Sequence, residues 1–215
     1  KAILFHEIAR QDVIECLNAK TGRSIWSNQY PTSFSDSLGS GGGPRATPAI
    51  IENKVYTMGA QGMVVCTDMT SGNTIWQVDA QKKFRAPNGF FGMACSPLIE
   101  GNALLLNIGG ENGMGIVALN KINGKLLWKT LDDEASYSSP VMATLQGKRR
   151  AVFFTRSGLA VINPIDGNID YQQHWRSSIH ASVNAAAPLV VADQIFITSS
   201  YNTGALVIKS TKERY

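Results

Sequence analysis

Residues 16–26 read CLNAKTGRSIW, and the same eleven-residue phrase returns as CTDMTSGNTIW at 66–76, ALNKINGKLLW at 118–128 and VINPIDGNIDY at 161–171. Each copy has a small or apolar residue first, Asn or Asp third, Gly seventh and an aromatic residue eleventh. Self-similarity at a period of roughly 40 to 50 residues is typical of a propeller or a solenoid. The repeat therefore predicts the architecture before any single residue does.

Each place in the phrase has a physical reading. The third residue can cap a turn through its side chain, and the glycine supplies the positive φ of a tight hairpin. The aromatic residue then lies on the next strand, where a flat ring can cover a neighbouring unit. The predicted turn residues are Asn18, Gly22, Asp68, Gly72, Asn120, Gly124, Asn163 and Gly167, and the predicted docking rings are Trp26, Trp76, Trp128 and Tyr171.

A proline recurs between the phrases, at Pro48, Pro97, Pro140 and Pro188. The first residue of a strand is one of the few sheet positions where a missing N–H is harmless, so each proline is predicted to open a repeat. The proline is followed by an apolar strand, a polar turn, a second strand, and a third strand that runs into the phrase. One repeat is thus a four-stranded antiparallel sheet, and radial stacking of such sheets buries both faces.

The predicted fold is therefore an all-β β-propeller with about four blades' worth of sequence in 1–215. The predicted complete blades are 46–80, 95–131 and 138–175, with the last two strands of a blade in 1–30 and the first three strands of another in 186–210. The terminal pieces could pair to close a four-bladed ring, but the wide phrase spacing favours a piece of a larger wheel. Because residue 1 is Lys and the first segment reads as mid-repeat, we expect the start of the gene product to be missing.

Composition excludes several classes of protein. With 44% hydrophobic and 17% charged residues the chain reads as globular, and no apolar run approaches the roughly 18 to 20 residues of a transmembrane helix. The net charge of +4 is spread along the chain. The densest cluster of basic residues, 148–150, is interpreted as a solvated hairpin tip. No nucleic-acid partner is therefore predicted. Three cysteines without a CxxC pair support neither a zinc site nor a redox motif.

The phrase resembles the tryptophan-docking motif of quinoprotein-type propellers, the pyrroloquinoline quinone (PQQ)-like repeat. The resemblance covers nearly the whole chain and implies a wheel of seven or eight blades, with Trp26, Trp76 and Trp128 between blades. The fourth copy departs from the motif at Pro164 and Tyr171. Residues 43–48, 132–140 and 180–184 also resemble bacterial PQQ-like repeat proteins of unassigned function. A periplasmic or secreted location is implied by the resemblance alone.

Loops on a rigid scaffold are where binding residues concentrate, and here the loops before each proline are expected to converge on the mouth of the channel. Their candidate site residues are Arg45, Arg85, Asp132, Asp133, Glu134, Tyr137, His180 and Asn184. Phe90 and Phe91 read either as a docking surface or as an aromatic plug of the channel.

PQQ chemistry needs a hard cation held by oxygen ligands, a carboxylate base, and cationic or amide groups on the quinone oxygens. Glu134 and Asn184 are candidates for the cation, Asp132 or Asp133 for the base, and Arg45 or Arg85 for the quinone. His180 is a candidate base, although the three histidines show no metal-ligand spacing and no metal site is predicted. The competing interpretation is that these are ordinary solvated or turn-capping residues.

Two functions follow. The first is a non-catalytic module of the cell envelope that binds a protein or an envelope polymer, besides the remaining blades of its own wheel. The alternative is a PQQ- and Ca²⁺-dependent dehydrogenase that oxidises an alcohol or a sugar at the channel mouth. The superfamily implied by the resemblance holds both kinds, quinone-dependent dehydrogenases and a non-enzymatic outer-membrane-assembly lipoprotein. The sequence favours the first, because the structural motif recurs and a cofactor constellation is nowhere clear.

Overall fold

A computed structural model describes residues 1–36, 41–87 and 89–211. Within them the chain forms eighteen β-strands and one five-residue helix, and the strands are arranged in five antiparallel sheets. The fold is therefore all-β. In the described residues no helix is long and apolar enough to cross a membrane.

The sheets follow one another along the chain. Sheet 1 holds β1 (Ala2–Ile8), β2 (Gln11–Leu17) and β3 (Ser24–Pro31). Sheet 2 holds β4 (Ala49–Ile51), β5 (Lys54–Met58), β6 (Met63–Asp68) and β7 (Thr74–Asp79), and α1 (Ala80–Phe84) follows it. Sheet 3 holds β8 (Leu98–Glu100), β9 (Ala103–Gly110), β10 (Met114–Asn120) and β11 (Leu126–Thr130). Sheet 4 holds β12 (Val141–Leu145), β13 (Lys148–Phe154), β14 (Gly158–Ile162) and β15 (Ile169–His174). Sheet 5 holds β16 (Leu189–Val191), β17 (Gln194–Ser199) and β18 (Gly204–Lys209).

Two details differ from the sequence-based expectation. Residues 1–30 were predicted to hold two strands, but sheet 1 has three, because residues 2–8 pair in continuous register with 11–17. No opening proline marks that first strand, so the repeat pattern could not reveal it. The helix α1 lies in one of the connections that the sequence predicts to be loops. The Asp79 side chain caps it by accepting from the backbone N–H of Lys82.

Each sheet is a meander in which strands adjacent in sequence are hydrogen-bonded. In every phrase the first and eleventh residues are cross-strand partners, as in Cys16 with Trp26 and Cys66 with Trp76. The register shifts directly after the first residue in all four copies. Such a bulge bends the strand and increases the local twist.

Strand alternation gives each inner sheet two apolar faces. In β9 the side chains of Leu104 and Leu106 pack toward sheet 2, whereas Leu105 packs toward sheet 4. In β13 the same alternation directs Phe153 toward sheet 3 and Phe154 toward sheet 5. The core is therefore four layers of side chains between five successive sheets, as expected when no sheet can bury both faces alone.

The aromatic residue of each of the first three phrases contacts the turn of the next phrase. The indole of Trp26 donates to the carbonyl oxygen of Met69 at 3.2 Å, and a Cβ on Gly72 would lie 2.7 Å from its ring. In the same way, the indole of Trp76 donates to the carbonyl oxygen of Lys121 at 3.0 Å, and a Cβ on Gly124 would clash with its ring. The glycine is required twice over, since its φ is also positive, +79° at Gly72 and +69° at Gly124.

The third contact of this kind joins sheets 3 and 4. Trp128 donates to the carbonyl oxygen of Pro164 at 3.1 Å and lies over Gly167. The departure at Pro164 is harmless here because the contact uses only the carbonyl group. Tyr171 packs in the core between sheets 4 and 5, and its hydroxyl donates to Gln173 at 2.9 Å.

Candidate functional site

The four connections that precede the prolines lie at one end of the sheets. Each four-stranded meander begins and ends at the same end, which is therefore shared by residues 32–36, 41–48, 80–87, 89–97, 131–140 and 175–188. We call this end the loop face, and the opposite end, which carries the phrase turns, the turn face. All eight sequence-predicted site residues lie in the loop-face connections.

Hydrogen bonds join these connections to one another directly before each proline. The backbone N–H of Thr47 donates to the Ser96 hydroxyl at 2.9 Å, and the backbone N–H of Ser96 donates to the Ser139 hydroxyl at 3.1 Å. Ser138 continues the series by donating to the carbonyl oxygen of Ala186 at 3.0 Å. Equivalent positions of successive repeats are thereby linked in sequence order, which makes the loop face one continuous surface.

Arg45 and Tyr137 bind the segment that contains Phe91. The Arg45 guanidinium donates to the carboxylate of Asp36 at 2.6 Å and to the carbonyl oxygen of Phe91 at 3.2 Å. The Asp36 side chain is fully buried. From the other side, the Tyr137 hydroxyl accepts from the backbone N–H of Phe91 at 3.0 Å, and the two rings meet edge-on. The first three connections are therefore cross-linked through one residue.

The acidic candidates Glu134 and Asp133 each bind a different residue of the protein. Glu134 is exposed and lies 3.3 Å from Nε of Arg156, whose other nitrogens donate to the carbonyl oxygens of His180 and Ser182. Asp133 accepts from both the backbone N–H and the hydroxyl of Ser157, at 2.9 and 2.8 Å. These contacts cap and tie loops together.

Asn184 makes several hydrogen bonds that connect parts of the loop face. Its buried side-chain amide donates to the carbonyl oxygens of Thr155 and Trp175, at 2.9 and 3.1 Å, and accepts from the Ser199 hydroxyl at 2.7 Å. Its backbone carbonyl oxygen accepts from Ser136. Asn184 therefore joins the third and fourth connections to sheet 5, and its amide oxygen is already occupied.

The proposed cofactor residues do not form one constellation. Arg85 is exposed at the end of α1, where it adopts a left-handed φ of 51°, and Asp132 is also exposed. His180 is exposed, and its carbonyl oxygen accepts from Arg156 and Arg176. Among the residues that the structure describes, no three His, Cys, Asp or Glu side chains are grouped to hold a metal ion. The oxygen donors assigned to Ca²⁺ instead bind protein groups, so the residues present do not fit a Ca²⁺–quinone site.

Replacing Asn184 by alanine is expected to destabilise the protein by about 2 kcal/mol, because the substitution leaves buried carbonyl oxygens and a hydroxyl without partners. The loss should appear as a lower midpoint in urea denaturation. Asp132→Ala is the matched control, since its carboxylate is exposed and, among the residues that the structure describes, accepts one hydrogen bond, from the N–H of Gly113 at 3.5 Å. Equal effects of the two substitutions would contradict the role assigned to Asn184.

A buried acidic group lies beneath the loop face, between sheets 1 and 2, where sequence reasoning placed nothing. Asp12 on β2 is 1% exposed and pairs across the sheet with Tyr30, and Thr57 of β5 is buried on the facing sheet. Neither oxygen of its carboxylate makes a hydrogen bond of standard geometry among the described residues. Burial raises the pKa of Asp12 to about 6; the Tyr30 hydroxyl opposes this and the charge of Glu7 adds to it.

A sequence signal for Asp12 did exist. It stands four residues before the first phrase, and the equivalent residues of the later repeats are Gly62, Met114 and Ser157, none of which is ionisable. A carboxylate at a fully buried strand position is the kind of exception that marks a special environment.

Comparison with known proteins agrees with this architecture. The family described as outer membrane protein assembly factor BamB matches residues 10–215. The curated BamB of Shewanella oneidensis is 33% identical over 128 residues, which are 56% of this chain and 32% of that protein. The chain thus spans about a third of the length of that relative.

Solved structures show the same fold. BamB from Moraxella catarrhalis is 18% identical with a TM-score of 0.64, over 97% of this chain and 58% of that one. The quinohemoprotein alcohol dehydrogenase of Comamonas testosteroni is 14% identical with a TM-score of 0.63, over 96% of this chain and 41% of that one. Both are β-propellers, so the PQQ-like repeat fold predicted from the phrase is confirmed. Since the family match spans nearly all of its residues, this chain belongs to the outer membrane protein assembly factor BamB family.

Proposed function

We propose that this chain is a non-catalytic scaffold of the bacterial cell envelope, located in the periplasm, and that its loop face binds a protein of the outer-membrane assembly machinery. The proposal rests on one observation: the loop-face side chains bind other parts of the protein. Arg45, Glu134 and Asn184 fix loops to one another, which gives a rigid surface rather than a set of groups poised for a reaction. Membership in a family described as an assembly factor supports the same function.

The loop face also carries a feature typical of protein-binding surfaces. Phe90 is 55% exposed and stacks edge-on against Phe91, whose ring meets Tyr137 in the same way. We call these three residues the aromatic ridge. Rigid aromatic side chains bury a large area at little entropic cost and dominate the energy of many interfaces. Hydrogen bonds from Arg45 and Tyr137 hold the Phe91 backbone on both sides, which fixes where the ridge stands on the loop face.

A photo-crosslinking residue at position 90, introduced in cells that produce the protein, tests this proposal. We expect a crosslinked partner that mass spectrometry identifies as an outer-membrane assembly protein. The matched control is position 75, where an isoleucine of similar exposure, 44%, lies on the outer strand β7 away from the loop face. Equal yields of that partner from the two positions, or a polymer instead of a protein at position 90, would contradict the proposal.

The dehydrogenase alternative has its own readout. Purified protein mixed with PQQ and Ca²⁺ should show no dye-linked oxidation of an alcohol panel and no shift in melting temperature. Turnover that disappears in Glu134→Ala would instead make the loop face an active site and overturn the scaffold assignment.

A further inference from the structure

A cavity lies on the turn face, where sheets 3 and 4 meet. Its volume is about 650 Å³, within the range of roughly 300–1,000 Å³ that is usual for small-molecule sites. It is bordered by the β8–β9 hairpin, the start of β13 and the turn of the fourth phrase. A ligand in this cavity would therefore bind at the opposite end of the sheets from the loop face.

Side chains fill the equivalent place between sheets 2 and 3. Tyr56 packs toward sheet 3, and strand alternation directs Lys54 the same way. The hydroxyl of Tyr56 donates to the carbonyl oxygen of Lys121 at 3.0 Å. In the β4–β5 hairpin, the carboxylate of Glu52 lies 3.8 Å from the ammonium group of Lys121. A phenol ring, an aliphatic stem and an ion pair thus close that interface.

Between sheets 3 and 4, smaller or uncharged residues hold the same four places. Counted from the opening proline of the repeat, the equivalents of Glu52, Lys54 and Tyr56 are Gly101, Ala103 and Leu105, and Pro164 holds the place of Lys121 in the fourth phrase. Ala103 and Leu105 face sheet 4. Gly101, Ala103 and Pro164 all line the cavity. The cavity therefore lies where a ring, a stem and an ion pair fill the preceding interface.

The surface of the cavity is mainly apolar. Leu127 and Ile165 border it and are 47% and 85% exposed, so both side chains remain open to solvent. An apolar ligand would gain by covering them, because each removes apolar surface from water when it is buried.

The charged residues that border the cavity leave no charge for a ligand within the part of the chain that the structure describes. Arg149 forms a two-pronged pair with Glu100, at 3.0 and 2.8 Å, so each charge has a partner. Lys148 and Arg150 also border the cavity, but strand register directs their side chains toward sheet 5, with the apolar residues that pair with them in β12. The cavity therefore suits a neutral ligand.

One polar group at the cavity can accept a further hydrogen bond. The carbonyl oxygen of Pro164 accepts from the indole of Trp128 at 3.1 Å. Its counterpart, the carbonyl oxygen of Lys121, accepts both from the indole of Trp76 and from the Tyr56 hydroxyl. A carbonyl oxygen has two lone pairs, so the Pro164 oxygen has room for a second donor in the position that the Tyr56 hydroxyl takes in the preceding interface.

We propose that this cavity binds a small neutral molecule made of one apolar ring and one hydroxyl group, as in a substituted phenol. The ring covers Leu127 and Ile165. The hydroxyl donates to the carbonyl oxygen of Pro164 and so takes the role that the Tyr56 side chain has between sheets 2 and 3. An ionised ligand is disfavoured, because it would leave water without finding an unpaired opposite charge.

The test uses the purified protein and calorimetric titration at pH 7 with three ligands that share a propyl-substituted ring. The neutral 4-propylphenol should bind. The methyl ether 4-propylanisole cannot donate and should bind roughly two- to tenfold more weakly, the usual effect of losing one hydrogen bond. The anion 4-propylbenzoate should bind about tenfold or more weakly, because its charge finds no partner. Phenol itself should bind more weakly than 4-propylphenol by roughly two- to fourfold per CH₂ removed.

Three variants locate the ligand. Ile165→Asp places a charge on the apolar wall and should weaken the binding of 4-propylphenol by about tenfold or more. Ile122→Asp is the matched control, because Ile122 holds the same place in the third phrase and is 57% exposed but does not line the cavity. Leu105→Tyr introduces the residue that sheet 2 has at this place and should abolish binding by filling the cavity.

The proposal is overturned if 4-propylphenol shows no saturable binding, if either of the other two propyl compounds binds as tightly, or if Ile165→Asp binds like Ile122→Asp. Ile165 and Ile122 are both exposed, so these two variants should melt like the parent protein. Their comparison locates the ligand even if the buried substitution Leu105→Tyr prevents folding.

Discussion

Replacing Trp76 by alanine is expected to lower the free energy of unfolding by about 3–5 kcal/mol, the usual cost of removing a buried aromatic side chain. Trp76 is only 9% exposed and joins two sheets: its ring covers Gly124, and its indole donates to the carbonyl oxygen of Lys121 at 3.0 Å. The substitution leaves a cavity between sheets 2 and 3. It also removes one of the two donors to the Lys121 carbonyl oxygen, so that only the Tyr56 hydroxyl still donates to it. Urea denaturation followed by far-UV circular dichroism measures the loss.

Two further variants separate the contributions of Trp76. Trp76→Phe keeps an aromatic ring and loses the indole N–H, so its cost should be nearer 1–2 kcal/mol. Ile75→Ala changes the adjacent residue, which is 44% exposed, and should cost less than about 1 kcal/mol. If Trp76→Ala cost no more than Ile75→Ala, the ring would not be holding the sheets together.

The phrase predicted so much of the fold because its residues satisfy local and inter-sheet requirements together. Gly72 needs a positive φ for its own turn and the absence of a Cβ for the ring of Trp26. Such double requirements leave a mark in the sequence. The first strand of sheet 1 carries no such mark, since pairing alone defines it, and it was missed.

The candidate site could be predicted from the sequence less well than the fold, for a physical reason. The candidate residues lie at one end of the sheets, but their partners are carbonyl groups and hydroxyls distant in sequence. Asn184 binds Thr155 and Ser199, 29 and 15 residues away, and no local pattern encodes either contact. A polar residue in an irregular loop reads identically whether it contacts a ligand or the protein itself.

Asp12 shows how an inter-sheet environment can give one residue an unusual chemical property. Raising the pH from about 4 to about 6 is expected to weaken the protein relative to Asp12→Asn. An aspartate has an ordinary pKa of 3.8, and burial raises that of Asp12 to about 6 in the folded protein. Below the ordinary value the carboxyl is protonated in both states and costs nothing. Between the two values the unfolded chain loses its proton more readily than the folded one, so stability falls as pH rises.

The size of the effect follows from the shift. A change from 3.8 to about 6 corresponds to roughly 3 kcal/mol at neutral pH and above, and to almost none near pH 3.5. Asp12→Asn removes the ionisation and keeps the shape of the side chain, so it should be more stable than the parent by up to that amount at pH 8. The gain should vanish at pH 3.5. Urea titrations of both proteins at several pH values give the difference directly, and acid effects common to both cancel.

The groups around Asp12 supply the controls. Glu7 faces it from β1 and helps to raise its pKa, so Glu7→Gln should shift the loss of stability to slightly lower pH. Tyr30 opposes the rise from β3, and Tyr30→Phe should move the loss to higher pH. Asp132→Asn alters an exposed carboxylate and should leave the profile unchanged. A constant difference between Asp12→Asn and the parent from pH 3.5 to pH 8 would mean that the carboxyl acts through packing and not through its charge. A difference that appears only as pH passes from about 4 to 6 would place an ionisable group inside the contact between two blades.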